Sequence, residues 1–241
     1  MIDEVYSFTI PTYIKLLHHL RKHYQVIPLM KTPESKTPYL ILRHDVDFSM
    51  EAAVRMAKID YNAGIKATYS FLFSSNHYNL LEKKALDSLL FISDLGHEVA
   101  LHYDLKMYRK YNVSLETSLK YELNLLEQLT GKPVKSIIIH QIGLEQSDPF
   151  QTYPELINGF NTELFDLYVS DSYRAWYREY LEQLFSFKYN RVQLLIHPSL
   201  WTDKPTIRSD VLRQIGALDF IMAWDGNPKI KENDMIKSSI G

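Results

Sequence analysis

The run Tyr39-Leu40-Ile41-Leu42-Arg43-His44-Asp45-Val46-Asp47 decides how this chain is read. An apolar stretch that ends in ionisable residues has the pattern of a buried strand delivering polar side chains at its C-terminal end. Side chains alternate along a strand, so Asp45 and Asp47 share one face while His44 points to the other. Two carboxylates this close do not both ionise cheaply without a cation between them or a shared proton. A metal site or an acid/base pair is the functional expectation. Strand-end carboxylates bonded to backbone amides are the structural alternative.

Composition narrows the field. The chain has 241 residues, 46% of them hydrophobic, enough to bury a substantial core in one domain. With 27 basic and 29 acidic residues the net charge is -2, so no overall field draws in nucleic acid or an anionic membrane. The chain contains no cysteine, which removes thiolate catalysis, cysteine-ligated zinc and disulfides together. No uninterrupted apolar stretch approaches the ~20 residues of a membrane span. The N-terminal stretch lacks a basic head followed by an apolar core, so no secretory signal is expected and a cytoplasmic protein is.

Strands and helices alternate along the chain. A helix around 11–23 precedes the strand Tyr39–Arg43. A helix over 50–63 stops at Gly64, Lys66–Phe73 reads as a strand, and a helix over 80–95 stops at Gly96. Glu98–Leu101 is a short strand ending at His102-Tyr103-Asp104. Residues 114–130 form a helix closed by Gly131-Lys132-Pro133. Ser136–Ile139, Leu167–Ser170 and Arg191–Ile196 are strands, ending at His140, Asp171-Ser172 and His197-Pro198. A helix near 207–216, a strand Phe220–Ala223 and a polar tail from about 226 complete the reading. Repeated strand–helix units predict an α/β fold with a parallel sheet, open or closed into a barrel, as a single domain over 1–241.

The polar residues fall at one kind of position. Asp45, Asp47, His102, Asp104, His140, Asp171 and His197 each stand at the C-terminal end of an apolar strand, where α/β barrels build active sites. Histidines and aspartates without cysteine suit zinc, or another divalent metal that accepts nitrogen and oxygen ligands.

The segments LRHDVDFS (42–49), LGHEVALHYD (95–104), SIIIH (136–140), SDSYRAW (170–176) and LLIHPSLW (194–201) carry a resemblance to the polysaccharide deacetylase superfamily, carbohydrate esterase family 4. The ordered set spans roughly residues 38–201, and the chain resembles a divergent branch. The resemblance implies an irregular (β/α) barrel and a metal-dependent hydrolase that removes an acyl group from an amino sugar or glycan precursor. It makes Asp45 the catalytic base, Asp47 and His102 metal ligands and His197 the general acid, with Asp171 orienting a catalytic group. The metal would be zinc first, with nickel, cobalt or manganese as alternatives.

Two departures stand out. The family's second metal histidine would fall at Lys106, which cannot replace it, so His140 becomes the first choice for the third ligand and Asp104 the second. The family's arginine-containing third motif has His140-Gln141-Ile142-Gly143 in its region. Arg43, His44 and Trp201 are expected as substrate contacts, although parity puts His44 off the Asp45 face and Arg43 could simply neutralise carboxylates. Trp176, Trp201 and Trp224 could each stack on a sugar ring or pack in the core; Trp201, just beyond His197, has the best claim to substrate. His97 begins a strand and is expected to be structural, His77 to be solvated in a loop, and His18, His19 and His23 to lie on a helix surface. The expected partner is a small-molecule or oligosaccharide substrate. Two rivals remain: another C–N hydrolase acting on a small amide, and a metal-free relative that binds a glycan or partner, which Lys106 motivates.

Overall fold

A strand lined by large aliphatic side chains on both faces must be covered on both faces, and the run opened on above is such a strand. In the computed structural model, which describes residues 1–31, 37–141, 153 and 155–216, it extends over Tyr39–Val46 and is buried along nearly its whole length. In chain order the main elements are α1 (Ile2–Val5), α2 (Ile10–Leu20), β1 (Gln25–Ile27), β2 (Tyr39–Val46), α3 (Met50–Asn62), β3 (Thr68–Leu72), α4 (Lys83–Asp94) and β4 (Glu98–Tyr103). There follow α5 (Leu105–Lys110), α6 (Leu115–Thr130), β5 (Ser136–Ile139), β6 (Ile157–Asn158), β7 (Leu167–Ser170), α7 (Arg178–Phe185), β8 (Arg191–Ile196) and α8 (Arg208–Gln214).

Every strand pair is parallel, and the sheet runs β6-β5-β4-β3-β2-β8-β7. Strand β1 lies beside the first half of β2, pairing Gln25 with Tyr39, and β3 takes over the same edge from Arg43 onward. This is the expected α/β architecture: a curled parallel sheet of the (β/α) barrel type, with β6 and β7 as its two end strands among the described residues. The carbonyl of Gly159, just past β6, accepts hydrogen bonds from Gln193 of β8 at 2.8 Å and Arg43 of β2 at 3.3 Å. A Cβ at Gly159 would stand 2.9 Å from the Arg43 guanidinium, so this close approach requires glycine.

Strand alternation sorts the core into two layers. Leu40, Leu42 and Val46 point outward and pack with α2 and α3 residues such as Leu16, Leu17, Ala53 and Met56. Ile41 points inward, where Ile27, Leu29, Ala100 and Ile138 join it in a small plug at the lower end of the sheet. Above that plug the inward residues of β2 are Arg43 and Asp45, so the barrel interior turns polar toward the C-terminal rim. At the lower end, buried Glu98 accepts hydrogen bonds from Thr68 and from the backbone of Met30, which anchors the segment after β1.

Helix boundaries follow local chemistry. Thr9, Ser49 and Ser114 accept from backbone N–H groups as N-caps of α2, α3 and α6, and Gly131 ends α6 in the left-handed conformation, φ +66°. The expected helix over 80–95 begins at Lys83, and the expected helix over 114–130 is joined by the unforeseen α5. Strand β1 and helix α7 were also not foreseen. The expected strand at 220–223, Trp224 and the polar tail lie outside the described residues. Among the described residues, no helix is long and apolar enough to cross a membrane.

Candidate functional site

The site is assembled from residues at or just past the C-terminal ends of β2, β4, β5, β7 and β8. Asp45 is the last inward residue of β2, and Asp47 follows the strand on the same side. Both are buried, Asp45 at 4% and Asp47 at 7% exposure, beneath a cavity of about 690 Å³. Asp45 is gripped from three sides. Arg43 Nε lies 3.0 Å from Oδ1, Arg43 Nη2 donates to Oδ2 at 3.2 Å, and Ser70 Oγ donates to Oδ1 at 2.8 Å. Ser70 is the register partner of Asp45 on β3. Burial alone would raise the pKa of Asp45, but the charges of Arg43, His102 and His197 hold it below the usual carboxylate range.

His102 projects inward from β4, two residues beyond Ala100 of the interior plug. Its Nδ1 lies 3.1 Å from the Ile138 carbonyl, which can only accept, so Nδ1 carries a proton and Nε2 is the nitrogen that faces the cavity. Nε2 stands 3.3 Å from Asp47 Oδ1 and 4.0 Å from Asp45 Oδ2. His140, immediately after β5, packs edge-on against His102 with ring centroids 5.1 Å apart. One ligand atom from each of Asp47, His102 and His140 lies within 4.8 Å of the others.

This trio passes a chemical test for a cation. Asp47 Oδ1 is buried and has no hydrogen-bond partner, a condition that ordinarily costs ~1–3 kcal/mol. Backbone bonding aims His102 Nε2 at that same oxygen, 3.3 Å away, where a cation would take up its lone pair. A buried oxygen and imidazole nitrogens converging on one point is the donor set of a divalent metal of borderline softness. Burial pushes the His140 pKa down, which keeps it in the neutral, ligating form. Without a cation, burial would lower the pKa of His102, but Asp45 and Asp47 raise it. Against its own burial, Asp47 is in turn held well below the usual carboxylate range by the charged ring; a metal would take the place of that Nε2 proton.

The alternatives for the third ligand are elsewhere. Asp104 caps helix α5 by accepting from the Met107 N–H at 2.9 Å, and its other oxygen accepts from Ser74. Lys106 is exposed on α5. His140, at the β5 rim, is instead the residue that comes within 4.8 Å of Asp47 and His102.

Opposite Asp45 stands His197, just past β8. Its Nδ1 donates to Asp171 Oδ1 at 2.6 Å, and Nε2 faces Asp47 Oδ2 at 3.8 Å. Asp171 is fully buried and also accepts from the His197 N–H at 3.0 Å and from Trp201 Nε1 at 2.8 Å. Burial would lower the pKa of His197, but Asp171 outweighs it and the ring is pushed up to about 9.

Two expected substrate contacts are corrected. His44 is completely buried on the outer face of β2, stacked on Tyr69 at 4.3 Å and paired with Asp60 at 2.9 Å. Strand parity turns it away from the cavity. Trp201 is 1% exposed, wedged between Phe8 and Tyr13, and its role is to hold Asp171. Arg43 does line the cavity, with its guanidinium committed to Asp45 and lying 4.7 Å over the Phe160 ring. Trp176 is core, donating to the Val5 carbonyl. His97 bridges the Ala57 carbonyl and the Ala67 N–H, the expected structural role, and His77 is exposed.

Some site residues escaped the sequence reading. Ser70 could have been noticed as the small polar residue between Tyr69 and Phe71 in a fully buried strand. The cavity wall formed by Phe160, Phe165, Tyr168, Tyr173 and Tyr177 left no comparable sign.

No family model matches the chain, and no curated protein matches it. Solved structures similar to it include the peptidoglycan deacetylase PdaC from Bacillus subtilis, at 14% identity and a TM-score of 0.48 over 75% of this chain and 84% of that one. The polysaccharide deacetylase Bc1974 from Bacillus cereus is similar at 14% identity and 0.47, over 76% and 87%. A carbohydrate esterase family 4 pseudoenzyme from Bacillus anthracis is similar at 15% identity and 0.45; the alignment covers 78% of this chain and only 63% of that protein. In fold the chain is similar to two deacetylases and to a carbohydrate esterase family 4 pseudoenzyme.

Proposed function

We propose that this protein is a metal-dependent hydrolase that removes an acyl group from the nitrogen of an amino sugar or glycan precursor. The observation that carries this reading is the convergence of Asp47, His102 and His140 within 4.8 Å, around an unsatisfied buried carboxylate oxygen, between Asp45 and His197. These three residues would hold a divalent cation, zinc first and nickel, cobalt or manganese as alternatives. Bound there, the cation supplies Lewis-acid charge that polarises the amide carbonyl and acidifies water.

The remaining steps belong to the chain's own groups. Asp45, kept ionised and aimed by Arg43 and Ser70, accepts a proton from the attacking water as the new O–C bond forms. His197, held by Asp171 with Nε2 toward the cavity, delivers a proton to the leaving nitrogen as the C–N bond breaks. Without that proton the amine is a poor leaving group at neutral pH. The products are a carboxylic acid and an amine, and proton return from Asp45 to His197 through solvent restores the starting state.

Metal content and turnover test the reading together. The purified protein should carry about one divalent ion per chain, and His140→Ala should lose it. Asp45→Asn should retain the ion and lose turnover by at least about 10²-fold. Near-normal activity of Asp45→Asn would remove Asp45 as the base. A protein that binds no divalent metal would instead favour the metal-free binding relative that Lys106 suggests.

A further inference from the structure

The rim of Asp45, Asp47, His102, His140 and His197 occupies one part of the 690 Å³ cavity. Among the described residues the rest of the lining is mainly aromatic and aliphatic, with Phe160, Phe165, Tyr168, Tyr173, Tyr177 and Leu212 as its bulky members and a few hydroxyl and amide groups between them. The five aromatic residues among them are only half-buried, so protein does not fully cover their rings. The charges nearby are already engaged: Arg43 with Asp45 and the Gly159 carbonyl, and Asp166 with Arg191. Carbon makes up more of this lining than polar atoms do, so the largest gain here comes from burying an apolar group.

The wall is also held at a conformational cost. Tyr173 and Arg174, two and three residues after Asp171, are consecutive non-glycine residues in the left-handed region, at φ 61° and 55°. Arg174 is locked there by the carbonyls of Leu200 at 2.8 Å and Thr206 at 2.7 Å. This anchor fixes Tyr173 at the cavity edge beside the residues that hold His197.

An amide substrate presents two substituents, one on each side of the scissile bond. On the reading proposed above, the amine side is a sugar and needs polar contacts, which leaves the apolar wall for the acyl side. An acetyl group has two carbons, whereas cavities of ~300–1,000 Å³ commonly enclose whole drug-sized molecules. We infer that the natural substrate carries a large apolar acyl group, an alkyl chain of medium length or an aryl ring, in place of acetyl. This rests on the hydrolase reading and narrows it to N-acyl amino sugars with lipid-like or aromatic acyl groups.

The test uses the metal-loaded protein with glucosamine N-acylated by acetyl, hexanoyl, decanoyl or benzoyl groups, with released glucosamine as the readout. The specificity constant should rise about fourfold per added methylene until the wall is filled. Phe165→Asp should remove that rise, and Phe165→Leu should restore most of it; Tyr177→Ser is a second variant should Phe165→Asp fold poorly. Acetyl as the preferred group, or a flat series, overturns the inference and leaves the hydrolase reading standing. No hydrolysis of any member counts against the hydrolase reading, and binding then decides the inference. N-phenyl-1-naphthylamine fluorescence displaced by N-decanoylglucosamine but not by N-acetylglucosamine, and lost in Phe165→Asp, upholds an apolar acyl seat. Absence of displacement overturns it.

Discussion

Two histidine–aspartate pairs on opposite sides of the sheet, His44–Asp60 and His197–Asp171, differ in what surrounds the imidazole. His44 Nε2 meets Asp60 at 2.9 Å, and the same carboxylate takes the hydroxyls of Tyr13 and Tyr69, each at 2.6 Å. Both His44 and Asp60 are completely sealed. Burial, then Asp60, raises the pKa of both tyrosines, so they remain hydrogen-bond donors at any ordinary pH. His197 meets Asp171 at 2.6 Å, and that carboxylate is likewise saturated, by a tryptophan and a backbone amide. Yet the His197 side chain keeps 14% of its surface open and its free nitrogen faces the cavity. The chemistry of the two pairs is the same; access separates a clasp between β2, α2 and α3 from a group able to exchange protons with a substrate.

Substituting the open pair should give the largest effect. His197→Ala is expected to lower kcat by about 10²–10⁴-fold, with a smaller loss of stability because Asp171 keeps its bonds from Trp201 and the backbone amide. Equal losses of activity and stability would place His197 with the scaffold. The sealed pair should respond in the opposite way. Asp60→Ala leaves His44, Tyr13 and Tyr69 without their shared acceptor and is expected to cost about 3–5 kcal/mol of stability. Turnover per folded molecule should stay within about twofold of the parent. A loss of turnover at unchanged stability would give the sealed pair a share in catalysis.

A half-buried carboxylate without such a partner, Glu122, sharpens what the histidine contributes. Glu122 on α6 is hydrogen-bonded by the Tyr108 hydroxyl, with no imidazole beside it. Burial, opposed by that bond and aided by the charge of Asp104, pushes its pKa up to about 7 from an ordinary 4.5. A raised carboxyl favours the folded protein while it is protonated. Its contribution is therefore complete below about pH 4.5 and is lost as the pH rises through about 7. The shift corresponds to at most about 3 kcal/mol, and partial exposure reduces the expected figure to about 1–2 kcal/mol. Denaturation of the parent and of Glu122→Gln across pH 4.5–8 should show their difference closing by that amount as the pH falls. A constant difference would mean that Glu122 is ionised throughout.

Strand positions and the rim residues were readable because strand parity and strand ends are local properties. Asp45, Asp47, His102, His140, Asp171 and His197 were all chosen at strand ends, and all line the cavity or brace it. Parity also placed His44 away from Asp45, but its partner is sixteen positions away on a helix, and only packing brings them together. Trp201 misled for the same reason. It lies four residues past His197, where a substrate contact is plausible, but the turn at Pro198–Leu200 carries it back under Asp171. Lys106 was a gap whose filling depends on β5 lying beside β4, a pairing that spacing does not encode. The aromatic wall gathers residues between 160 and 177 with helix α8, and no single stretch announces it.

Strand β2 has both faces committed, one to the helices and one to the site. Over Leu40–Val46 there is therefore no wet position where a change passes unnoticed. Helices α4 and α6, by contrast, expose whole faces to solvent, and substitutions there are cheap. Neutral drift is thus channelled away from the centre of the molecule and into its outer helices. A relative could differ across most of its surface and still keep this strand nearly letter for letter.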